Sequence, residues 1–93
     1  MRYIIEHRPE KHRFETEVEH LKAYVEYLLL NGEMDLVHTI VPKPLEGRGI
    51  AGDLVQAAFD YARREGLKIR TTCSYTVVWA RRHPEYADVL VGE

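Results

Sequence analysis

The chain has 93 residues, 45% of them hydrophobic and 30% charged, with a formal net charge of −2. That length is expected to give one domain that buries a core without metal or disulfide staples, and the slightly acidic balance argues against nucleic acid as the main partner. No apolar run reaches the ~20 residues of a membrane span. One cysteine, Cys73, leaves neither an internal disulfide nor a multi-cysteine zinc site, and the start Met1-Arg2-Tyr3-Ile4-Ile5-Glu6 does not read as a signal peptide. The expectation is a cytoplasmic protein with no resident metal, monomeric or weakly dimeric.

Tyr3 to His7 is expected as a first short strand, and Arg8 to Lys11, containing Pro9, as a turn. Phe14, Thr16 and Val18 alternate with Glu15 and Glu17, the pattern of a half-buried strand. Leu21 to Leu30 is dense enough in apolar residues to suit a helix. Its aromatic and branched content, and the Asn31-Gly32 pair that follows, favour a strand ending in a type I′ hairpin. Met34 to Val41 is then the antiparallel return strand, ended by Pro42 and Pro44, which cannot donate ladder hydrogen bonds.

Gly47, Gly49 and Gly52 crowd the next turn. Beyond it Ile50, Leu54, Ala58 and Ala62 recur at helical spacing, flanked by Val55, Phe59 and Tyr61, with Gly66 placed as a C-terminal cap. Leu67 to Cys73 reads as a strand parallel to Met34–Val41, reached by a crossover. Tyr75 to Arg82 reads as a short helix stopped by Pro84, and Tyr86 to Glu93 as a loose end. The fold class is α/β (α+β): a mixed, mainly antiparallel sheet with one parallel pair, a long helix after the glycine loop and a short C-terminal helix.

Strand, glycine-rich turn and helix in succession make an anion cradle. Glycine lets the backbone approach an oxyanion, and the helix start supplies unpaired N–H groups and a partial positive charge. The expected ligand is phosphorylated. The absence of Gly-Lys-Ser/Thr counts against a P-loop enzyme.

These residues carry a resemblance. The segment Glu46-Gly47-Arg48-Gly49-Ile50-Ala51 is similar to the acetyl-CoA loop Gln/Arg-x-x-Gly-x-Gly/Ala of the GNAT superfamily of N-acetyltransferases, with Gly49 and Ala51 in register and Glu46 departing from the usual Gln or Arg. Arg13–Glu17, Asp35–Pro42, Thr72–Tyr75 and His83–Tyr86 follow, in order, the pattern of the superfamily's minimal branch, so that the resemblance covers Phe14 to Tyr86. It implies acetyl-CoA or coenzyme A as cosubstrate and an amine acceptor, a protein or peptide amine among the options. The pantetheine arm would pair with the main chain of His38, Thr39, Ile40 and Val41. The pyrophosphate would rest on Gly47, Arg48, Gly49, Ile50, Ala51 and Gly52, and Lys43, Arg48, Arg81 or Arg82 would meet the 3′-phosphate.

Cys73 reads either as a small buried apolar residue or, by the resemblance, as a thioester contact, a general acid for the departing thiol, or a nucleophile. His38 is either a hydrogen-bonded core residue or the base that neutralises the amine. Tyr75 is an alternative acid. Tyr24, Tyr27 and Tyr61 are expected in the core, and His7, His12, His20 and His83 on the surface. The competing functional class is a non-catalytic acyl-CoA-binding or regulatory module, and a third is a nucleotide binder.

Overall fold

The alternation in the second and third strands builds the hairpin around which the sheet forms. In the computed structural model, which describes residues 2–92, five strands lie side by side in chain order: β1 (Glu6–Arg8), β2 (Arg13–Val18), β3 (Leu21–Leu30), β4 (Glu33–Ile40) and β5 (Lys68–Thr71). Neighbours are antiparallel except β4 and β5, which are parallel. Asn31 and Gly32 turn β3 into β4 at φ 52° and 78°, the type I′ geometry expected of that pair. The turn from β2 to β3 uses the same geometry with residues unsuited to it: Glu19 and His20 stand at φ 53° and 66°.

One face of the sheet is apolar. Phe14, Ala23, Val25, Tyr27, Met34, Leu36 and Ile69 point there and are buried. Helix α1 (Ile50–Glu65) covers that face with Ile50, Leu54, Val55, Ala58, Phe59 and Ala62. It ends at Gly66 in the left-handed region (φ 71°), with the Leu67 N–H reaching back to the Ala62 carbonyl at 2.9 Å. Helix α2 (Ser74–Arg82) buries Thr76, Trp79 and Ala80, and Trp79 packs on Phe59 with ring centroids 4.9 Å apart. Among the described residues the other sheet face carries no helix, and it is polar. On it Glu15, 2% exposed, is ringed by Arg8, Arg13 and Lys22 at 3.3, 3.7 and 3.2 Å. Burial pushes its carboxyl up, but the bonds from Lys22 and Arg8 outweigh this and hold it below the ordinary value.

Several expectations are corrected. The first strand begins at Glu6, not Tyr3, because the N–H groups of Arg2 and Tyr3 donate to the Asp53 carboxylate on α1 (2.8 and 3.0 Å), which carries the segment from the sheet onto the helix. The tail is packed, not loose. Pro84–Val89 forms a 3-10 turn that buries Tyr86 and Val89, the Tyr86 hydroxyl donates to Asp60 at 2.5 Å, and Leu90 bridges to Ile69. Glu93 lies outside the described residues. Tyr24 is on the polar face beneath the Arg13 guanidinium (4.0 Å), whereas Tyr27 is in the core and Tyr61 packs against it. His7 is half-buried, stacked on Phe14 and 2.5 Å from the Tyr27 hydroxyl. His83 turns an edge to Trp79, its Nδ1 buried without a partner among the described residues. His12 and His20 are exposed, as expected.

Candidate active site

β4 and β5 are paired only from Glu33↔Lys68 to Leu36↔Thr71. The Cys73 N–H still reaches the Leu36 carbonyl (2.9 Å), and beyond that point the two chains part. The β4 edge from Val37 onward therefore has no β5 partner, and the opening leads to the glycine turn. Val41, Leu45, Glu46, Gly47, Gly49 to Gly52, and Tyr75 line a cleft of about 260 Å³ there.

Two features of the turn suit an anion. Gly47 (φ 80°) and Gly49 (φ 81°) occupy the left-handed region that side chains resist. Gly49 is also the N-cap of α1, so no side chain caps the helix. Among the described residues, the N–H groups of Gly47 through Gly52 find no acceptor. They form a set of donors at the positive end of a sixteen-residue helix. Ile50 has its side chain in the core, so only its main chain can face a ligand. Gly52 is helical, and a Cβ there would touch the Tyr75 hydroxyl and Trp79 Nε1 at 3.6 and 3.7 Å. Burial lifts the Tyr75 phenol above its ordinary value against the pull of Arg82.

Of the cations considered for the 3′-phosphate, Arg48 is engaged: it pairs with Glu19 at 2.7 Å, which ties the glycine turn to the β2–β3 turn. Lys43, Arg81 and Arg82 enter no ion pair among the described residues. Sequence reasoning missed Arg2, whose guanidinium lies 4.0 Å from where a Gly49 Cβ would stand. Only the fold brings it there, through the Asp53 bonds and the Tyr3 hydroxyl's bond to the Arg48 carbonyl (3.0 Å). A lone arginine at position 2 carries no motif.

Cys73 is half-buried at the N-cap of α2, with Sγ 3.5 Å from Thr39 Oγ1. Burial pushes the thiol up, but the Thr39 hydroxyl and the N–H groups of Tyr75, Thr76 and Thr39 favour the thiolate more strongly and bring it below the ordinary value. Among the described residues no N–H closes a full hydrogen-bonded cap on the sulfur; the influence is electrostatic.

The structure separates His38 from Cys73. β4 carries a bulge: Glu26 pairs with His38 but Tyr27 pairs with Leu36, so Val37 is extra. Leu36 and Thr39 therefore share the helix face, while His38 and Ile40 sit on the polar face and are exposed, so His38 is not the core residue that its place in a central strand suggests. His38 and Val37 border a second cavity, of about 600 Å³, on that side. It is lined also by Glu10, His12, Glu26 and Leu28, to none of which the sequence assigned a functional role.

Comparison with known proteins agrees with this architecture. The described profile of the GCN5-related N-acetyl-transferase family matches residues 13–89. Protein NATD1 of Danio rerio is 34% identical over 95 residues, covering 97% of this chain and 86% of the relative. Protein NATD1 of Mus musculus is 34% identical over 83 residues, covering 86% of this chain and 76% of the relative. The solution structure of a GCN5-like putative N-acetyltransferase from Staphylococcus aureus superposes with a TM-score of 0.77 at 26% identity, over 98% of this chain and 90% of that one. The parted parallel strands, the uncapped helix behind a glycine turn and these matches lead to one assignment: the chain belongs to the GCN5-related N-acetyltransferase family.

Proposed function

We propose that the protein binds acetyl-CoA in the cleft between β4 and α1 and transfers the acetyl group directly to an amine. The observation that carries this reading is the row of unsatisfied N–H groups from Gly47 to Gly52, open to the gap where β4 leaves β5. The pyrophosphate is held by these donors, with Arg2 at its side, and the pantetheine amides extend along the unpaired edge of β4 as an added strand would. The thioester then reaches Thr39 and Cys73, and the amine approaches from the polar face at His38. His38 takes a proton from the incoming ammonium. The freed nitrogen attacks the carbonyl carbon, the N–C bond forms as the C–S bond breaks, and the second proton on nitrogen balances the departing thiolate as CoA thiol. The basis for a direct route is that β5 no longer closes the edge of β4 beyond Leu36, so that the amine reaches the thioester through that gap without a covalent stop.

Thermal unfolding tests the cofactor. A ligand at one hundred times its dissociation constant adds about 2.7 kcal/mol to stability, so acetyl-CoA and CoA are expected to raise Tm and ATP to leave it unchanged. Gly49→Val is a poor probe, since φ 81° strains any side chain there. Gly52→Ala is better: it gains roughly 0.5–1 kcal/mol of helix stability while narrowing the cleft. The free variant should melt higher and gain less from acetyl-CoA. A Tm shift with ATP and none with acetyl-CoA would overturn the assignment.

A further inference from the structure

The 600 Å³ cavity on the polar side of β4 is of a size that ligand sites commonly take, and its walls are fixed. Tyr27 N–H donates to the His12 carbonyl at 2.9 Å, and the two rings lie parallel within 9°, which holds the Pro9–Lys11 turn against β3. Glu26 stands directly across the ladder from His38, and Glu10 belongs to the turn on the opposite wall. Among the described residues neither Glu10 nor Glu26 enters an ion pair, so both carboxylates are available to a ligand in the cavity. Two carboxylates against the single ammonium of Lys11 leave the cavity anionic, and Leu28 and Val37 give it an apolar stretch between.

We infer that this cavity receives the acceptor and that the acceptor is a small aliphatic diamine. This rests on the transfer reading above. One amine lies at His38 and Glu26, where β4 has just parted from β5, and is acetylated. The methylenes lie along Leu28 and Val37, and the second ammonium is met by Glu10. A monoamine of the same length would leave Glu10 without a partner.

Binding to the free protein, with no acetyl-CoA present, separates this inference from the cofactor assignment. Titrating 1,5-diaminopentane and 1-aminopentane while following the His38 and His12 ring resonances should show the diamine tighter by about two- to fivefold, the value of one largely exposed ion pair. Glu10→Gln should erase that preference, and Glu17→Gln, which removes the same charge from an exposed position outside the cavity, should keep it. Equal affinities, a preference untouched by Glu10→Gln, or ring shifts produced only by a lysine peptide would overturn the diamine. The acetyl-CoA Tm shift in the same samples reports on the cofactor separately, so either reading can fail while the other stands.

Discussion

Cys73 and His38, the two side chains on which the proposed transfer turns, lie on opposite sides of β4. The surroundings of the sulfur favour thiolate, but the imidazole that would complete a nucleophilic pair faces the other cavity. His38→Ala is therefore expected to lower the rate of acetyl transfer by the ~10²–10⁴ typical of a lost base, while Cys73→Ala keeps most of it. Incubation with acetyl-CoA and no amine should add no acetyl mass to the protein. An acetylated Cys73 that passes its group to an amine at the turnover rate would show the covalent route instead. Both residues stand out in the sequence as candidates, one from its strand and one from its resemblance. Their separation was not, because it depends on a bulge that no residue type announces.

At the scale of elements, the long helix, the Asn31-Gly32 turn and the glycine loop follow from period and turn chemistry, and the structure has them where the sequence put them. The β2–β3 turn was silent for a physical reason. Its residues, Glu19 and His20, pay a left-handed penalty that Asn or Gly would avoid, of about 1–2 kcal/mol each. Tertiary context holds them there, Glu19 through its bond to Arg48. His20→Gly should accordingly stabilise the protein. Relief of strain less the extra freedom of glycine in the unfolded chain leaves a gain of about 0.5–1 kcal/mol, readable by chemical denaturation. The packed tail was equally hidden, since its apolar residues, Tyr86, Val89 and Leu90, are too few to show a period.

For the whole molecule, titrating groups bound the range of stability. Burial is the main cause holding the His7 imidazole below its ordinary value of 6.5, and Arg64 adds to it against Glu10. The unfolded chain thus takes up a proton that the fold refuses, and stability is expected to fall as pH drops below 6.5, before the carboxylates contribute. His7→Gln should flatten that first decline. At the other end, burial and the bond to Asp60 push Tyr86 up to about 12 from 10.0. Its contribution is complete below pH 10 and is lost as pH rises toward 12, and Tyr86→Phe should remove that loss. A pH series of Tm values checks both limits, and unchanged slopes in the two variants would contradict them.

The extra residue in β4 sets a parity. With strict alternation from Leu36 onward, His38 would point to the helices beside Cys73 and Thr39 would face solvent. The strand would then hold an imidazole against a thiol, the makings of an acyl-enzyme. Val37 shifts the count by one and leaves the thiol with a hydroxyl for company. Were Val37 taken into the ladder instead of bulged out of it, the two neighbours would exchange, so that the choice between a one-step and a two-step reaction is written in the pairing of one residue.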